Sequence, residues 1–147
     1  MKVVAFNGSV RNDSNTAMLI QSVFAELNTE GIETELIQFG PNPPHGCVAC
    51  YKCFDNKDNR CATTKDALND YVAKMIEADG VILGSPTYFA DVTAGMKAFI
   101  ERAGMVARAN PGLFCRKVGA GVVSVRRGGA VRYKRLKRST TLCSSRR

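Results

Sequence analysis

The opening stretch MKVVAFNGSVRNDSNT (1–16) sets an apolar run directly against a loop rich in hydroxyls, amides and one guanidinium. Residues 2–6 form a short, nearly continuous apolar run ended by Asn7-Gly8-Ser9, the pattern of a strand buried on both faces, and so of a parallel sheet. Beyond the loop, Ala17, Ile20, Phe24 and Leu27 recur at spacings of three and four, which predicts an amphipathic helix over 16–27 that stops near Gly31. A second strand follows at 33–39. The next helix is predicted over 66–78, the next strand over 81–83, a helix capped by Thr93 over 94–105 and a fourth strand over 118–125. The order β-α-β-α-β-α-β makes an open, mostly parallel sheet with helices on both faces, an α/β doubly wound fold.

In such sheets ligands lie outside the carboxyl ends of the strands. Three loops leave those ends here, at 7–16, 84–91 and 124–129. In the first, Ser9, Ser14, Asn15 and Thr16 surround the start of a helix, whose unsatisfied N–H groups and partial positive charge attract an anion, and Arg11 adds charge-assisted pairing. An ordinary capped helix would read the same way. The loop has no G-x-x-x-x-G-K and no G-x-G-x-x-G, so a monophosphate suits it better than a nucleoside triphosphate or a dinucleotide. In the second loop Pro86 stiffens the turn, and Thr87, Tyr88 and Phe89 offer backbone donors and flat faces to a planar ring, unless the two aromatics simply pack under the next helix.

Three blocks, GSVRNDSNT (8–16), GSPTYFADVTAGMKAFIERAG (84–104) and VGAGVVSVRRGG (118–129), make the chain resemble the NADPH-dependent FMN reductase and iron-sulfur flavoprotein group of the flavodoxin-like superfamily. The resemblance covers about residues 1–131. It implies a three-layer α/β/α fold and FMN, with the phosphate at Ser9, Arg11, Ser14, Asn15 and Thr16. The ring would lie against Pro86, Thr87, Tyr88 and Phe89, with Arg126, Gly128 and Gly129 closing the site. It further implies an oxidoreductase fed by NADPH, NADH or a protein donor and discharged to a flavin, quinone, metal or oxygen species, in subunits paired as homodimers or homotetramers. No side chain is assigned as a covalent nucleophile or as a general acid or base. A non-catalytic, flavodoxin-like electron carrier is the alternative.

Cys47-x2-Cys50-x2-Cys53-x7-Cys61 is a compact thiol cluster. Sulfur-only ligation on short spacings suits a 4Fe-4S cube and resembles the iron-sulfur flavoprotein motif, whereas zinc knuckles come as separated C-x2-C pairs. Cube, plain thiols and zinc all remain open. Cys115 and Cys143 stand apart as structural or incidental thiols, and His45 reads as a solvated loop residue. With no secretory leader and no apolar run near membrane-spanning length, the chain is expected to be a cytoplasmic protein without a membrane partner.

The net charge of +8 lies at one end. Residues 1–115 carry 10 Lys/Arg against 13 Asp/Glu, a balance of 10 − 13 = −3, and 116–147 carry 11 basic residues and no acidic one. Residues 132–147 show no helical or strand period, so a domain at 1–131 is expected to end without the fifth strand and last helix of the superfamily, followed by a basic tail without order. Read two nucleotides on, codons for this tail can encode a family-like continuation, so an out-of-frame tail is expected ahead of a true basic arm. Nucleic-acid binding rests on that arm alone, because the body lacks a basic helix interleaved with stacking aromatics.

Overall fold

A computed structural model describes residues 1–126 of the chain. The elements are β1 (Lys2–Asn7), α1 (Asn15–Thr29), β2 (Glu33–Gln38), α2 (Lys52–Asn56), α3 (Leu68–Glu77), β3 (Gly80–Pro86), α4 (Ala94–Ala109) and β4 (Val118–Ser124). All strand pairs are parallel and the sheet order is β2-β1-β3-β4. The chain therefore winds out from β1 to one edge and returns to build the other, the doubly wound α/β arrangement expected from the alternation of elements. The expected absence of a fifth strand and last helix, and the basic tail, lie outside the described residues. Among the described residues no helix is long and apolar enough to cross a membrane.

Strand alternation splits the core into two layers. Val4 and Phe6 of β1 face one way, into a large cluster with Phe39, Leu68, Met96 and Phe99. Ala5 and Ile82 face the other way, against Ile20 and Phe24 of α1. Phe6 and Phe99 meet with ring centroids 4.7 Å apart, and Phe39 stacks on Tyr71 at 5.5 Å. This aromatic knot fixes α3 and α4 on one face of the sheet while α1 holds the opposite face.

Element ends differ from the sequence reading where side chains intervene. Helix α1 begins at Asn15 because the Ser14 hydroxyl accepts from the Ala17 N–H and so serves as the N-cap. Strand β3 runs on through Gly84, Ser85 and Pro86, which pair with Val122, Val123 and Ser124 although they read as breakers. Helix α4 continues to Ala109 because Val106 and Ala109 are buried in the core. Helix α2, a single short turn between left-handed Tyr51 and Lys57, has no periodic signal and was not expected.

Candidate functional site

The loops that leave β1, β3 and β4 are tied together at the carboxyl edge of the sheet. The Gly8 N–H donates to the Gly84 carbonyl at 2.8 Å, the Thr93 hydroxyl to the Gly8 carbonyl at 2.9 Å, and the Thr87 N–H to the Ser124 carbonyl at 2.9 Å. Close approach makes this possible. A Cβ on Gly8 would stand 2.9 Å from Met96 Cβ and from Thr93 Oγ1, and one on Gly84 would stand 2.6 Å from Ile20 Cδ1.

The first loop is shaped from below by two residues that the sequence reading did not single out. Asn7, fully buried at the end of β1, accepts the Ser9 N–H at 3.0 Å and donates to Gln38 at 2.7 Å and to the Ser14 hydroxyl at 3.2 Å. Gln38 in turn donates to the Ser9 carbonyl. A buried amide that fills its donors and acceptors in this way locks the loop in one shape. The only sequence signal was a polar residue ending an apolar strand.

Each expected phosphate residue has a defined place. Ser9 is buried, and its hydroxyl accepts the Arg11 N–H at 3.1 Å; the Arg11 side chain is exposed. Ser14 caps α1 while Asn15 is exposed. Thr16 is wholly buried, and its hydroxyl oxygen has no hydrogen-bond partner among the described residues. An orphan of this kind costs about 1–3 kcal/mol. It sits in the first turn of α1, beside N–H groups that have no intrahelical acceptor. The residues thus fit a ligand phosphate, which would supply the missing acceptors.

In the second loop Thr87 forms an isolated antiparallel bridge with Val92, and its buried hydroxyl likewise has no hydrogen-bond partner among the described residues. Ser85 accepts from the Thr93 N–H at 3.0 Å and so links the loop to the start of α4. Tyr88 and Phe89 do not pack under the helix: both are exposed, Phe89 by 93%. Two bare aromatics beside an unsatisfied buried hydroxyl suit a flat ring with polar edges. Pro86 ends β3 and Arg126 is exposed beyond β4; Gly128 and Gly129 lie outside the described residues.

The cysteine loop forms a second centre. Left-handed backbone at Ala49, Tyr51, Lys57 and Asn59 folds it back on itself, so that Cys47, Cys50, Cys53 and Cys61 all line one cavity closed by Arg102 and Met105 of α4. Its volume is about 20 Å³, the space of roughly one water. Cys47 and Cys50 are exposed and Cys53 is buried, and burial pushes the Cys53 thiol up. Among the described residues no three His, Cys, Asp or Glu side chains are gathered closely enough to hold an ion. The donor set itself, four thiols with no carboxylate or imidazole on the cavity wall, fits iron-sulfur ligation in its chemistry.

Cys61 is the most firmly held of the four. Asn69 on α3 accepts its N–H at 2.7 Å and donates to its carbonyl at 2.9 Å. Arg102 on α4 donates to its sulfur at 3.3 Å. Arg102 is 2% exposed, pairs with Asp66, and also donates to the Thr63 carbonyl at 2.8 Å. Asp66 accepts the His45 N–H at 2.9 Å. Burial alone would push the Asp66 carboxyl up, but the His45 N–H, the guanidinium and the Leu68 N–H outweigh it and hold it below the usual range. His45 thus enters the structure through its backbone.

A family model described as NADPH-dependent FMN reductase matches residues 1–142, past residue 131, where the resemblance carried by the sequence motifs ends. An iron-sulfur flavoprotein of Methanocaldococcus jannaschii is 37% identical over 102 residues, covering 69% of this chain and 51% of that protein. One from Archaeoglobus fulgidus is 33% identical over 133 residues, covering 90% of this chain and 64% of its own length. The chain therefore spans about half to two thirds of the length of these relatives. Among solved structures, RosB with a bound 8-demethyl-8-formylriboflavin-5'-phosphate intermediate superposes with a TM-score of 0.77 at 20% identity, over 99% of this chain and 61% of that one. A flavodoxin from the domain Archaea superposes with a TM-score of 0.58 at 15% identity, over 99% of this chain and 77% of that one. These two superpositions bear on the fold, which is flavodoxin-like.

Proposed function

Because the chain belongs to the NADPH-dependent FMN reductase family, we propose that it is an FMN-binding oxidoreductase that takes electrons from NADPH, NADH or a protein donor and passes them to a small acceptor. The observation that carries this reading is the pair of buried hydroxyls without a partner among the described residues, Thr16 in the first loop and Thr87 in the second, on loops bonded to one another through Gly8, Gly84 and Thr93. Bound FMN supplies a ring that accepts a hydride or two electrons and yields them to a second acceptor. The chain's own part is placement. Thr16, Ser14 and the first turn of α1 would hold the phosphate, with Arg11 covering it from solvent. Thr87 and the backbone of its loop would meet the polar edge of the ring, with Tyr88 and Phe89 against its faces. Arg126, Gly128 and Gly129 would close the site from the β4 side. Subunit pairing as a homodimer or homotetramer is part of the same proposal.

The cysteine loop is proposed to carry a 4Fe-4S cluster on Cys47, Cys50, Cys53 and Cys61, supported by the single cavity they line and by the iron-sulfur flavoproteins among the relatives. Such a cluster supplies a one-electron carrier. The test of function is anaerobic reduction of the FMN-loaded protein by NADPH and NADH, then steady-state turnover with ferricyanide, a quinone or free flavin. Turnover supports the reductase. Tight FMN binding without consumption of either nucleotide, with every acceptor tried, would leave the electron-carrier reading in its place.

A further inference from the structure

Arg102 is a fully buried cation that the flavin site does not use. It stands nine residues along α4 (Ala94–Ala109) from Thr93, ~13 Å of helix at 1.5 Å per residue, so the start and the middle of α4 serve different loops. Its guanidinium reaches both ends of the cysteine loop: the His45 carbonyl before Cys47, and the Cys61 sulfur, Thr63 carbonyl and Asp66 carboxylate after Cys53. A buried ion pair contributes little net stability against an apolar replacement, so stability alone is a weak reason to bury one; where such pairs are kept, they tend to fix a geometry. Here the geometry fixed is that of one sulfur. Asn69 clamps the Cys61 backbone from α3, and Arg102 sets its side chain from α4.

We propose that Arg102 is the positioning residue of the thiolate centre: it holds Cys61 as the preformed ligand and, by donating to its sulfur, raises the reduction potential of the iron-sulfur group and slows its loss. The inference rests on the cluster reading given above. Its physical basis is that hydrogen bonds to ligand sulfurs and nearby positive charge favour the reduced, more negative state of a cluster, and that groups supporting a ligand govern retention as well as potential. Asp66 offsets the charge of the guanidinium, which would be costly to bury unpaired, while the Thr63 and His45 carbonyls also orient it.

The test uses the full chain, reconstituted anaerobically with iron and sulfide. Asp66→Asn keeps the guanidinium on Cys61 and removes the carboxylate charge, so it is the reference for the pair Arg102→Gln with Asp66→Asn. Both are to be compared for iron per chain, midpoint potential of the cluster, and rate of iron release to a chelator, with FMN affinity as the measure of a folded chain. The expected result is a lower potential and at least tenfold faster iron release in the double variant than in Asp66→Asn. Equal potentials and release rates in two folded proteins would overturn the inference. Should the double variant fail to bind FMN, Arg102→Lys decides: it keeps the charge but lacks the fork that spans Asp66 and Cys61. A potential and release rate equal to wild type would overturn the inference, and a drop in potential with faster release would support it. Wild-type protein that takes up no iron would overturn the cluster reading itself, and this inference with it, a result distinct from a loaded wild type that Arg102 does not tune.

Discussion

Thr16 carries the clearest residue-scale consequence, because its buried hydroxyl lacks a partner among the described residues. Thr16→Val removes the orphan and keeps the shape. Unfolding of the apoprotein in urea should then show about 1 kcal/mol of added stability, since an unsatisfied buried group is costly, while FMN affinity falls about five- to tenfold through one lost hydrogen bond. A stability gain without any loss of FMN affinity would mean that the hydroxyl faces no ligand. Arg11→Ala should weaken FMN about tenfold or more and leave riboflavin nearly unchanged, because only FMN has the phosphate. Ser14→Ala is less clean: Ser14 is also the N-cap, worth about 0.5–2 kcal/mol, so the readout there is the difference between the two ligands. Equal losses for both ligands would assign Ser14 to the helix alone. Asp66 makes a pH prediction. Its carboxyl is held below the unfolded value of about 3.9, so its stabilising share is full above that pH and is lost as pH falls through the lower native value. Urea titrations of wild type and Asp66→Asn should differ by about 2 kcal/mol at pH 6, and that difference should shrink toward pH 3.

Among the elements, β3 and α1 make the tightest fit. A Cβ on Gly84 would stand 2.6 Å from Ile20 Cδ1 and 3.1 Å from Thr16 Cγ2, so Gly84→Ala must push the first turns of α1 away from the sheet. The expected cost is about 1–3 kcal/mol in thermal or urea unfolding, with a loss of FMN affinity, because the displaced turn carries the phosphate loop. Unchanged affinity at lowered stability would separate that turn from the ligand. Residue 84 also shows how far the elements could be read from the sequence. The apolar periods of β1, α1 and α4 were plain, since 3.6-residue and continuous patterns follow directly from which faces are buried. Gly84, Ser85 and Pro86 read as breakers and are strand, because glycine there makes room for a helix that sequence cannot place. Helix α2 escaped notice because a five-residue turn held between left-handed Tyr51 and Lys57 has no period to detect.

For the whole molecule, the chemistry divides between two loop systems joined by α4. Thr93 and Met96 near its start meet the loop that follows β1 at Gly8, while Arg102 and Met105 close the cysteine cavity. The sequence displayed the residues proposed to face ligands, Ser9, Thr16, Thr87, Phe89 and the four cysteines, because they cluster locally. It hid those that hold them. Asn7 meets Gln38 across 31 residues, and Arg102 meets Cys61 across 41, pairings that exist only once the sheet brings distant loops together. The central claim is that the three loops at the carboxyl edge of the sheet form an FMN site with its phosphate at α1. It is tested most directly by titrating the full chain with FMN and with riboflavin and following the quenching of flavin fluorescence. The account predicts saturable one-to-one binding, with FMN at least tenfold tighter than riboflavin. Equal affinity for the two, or no saturable binding of FMN, would contradict it.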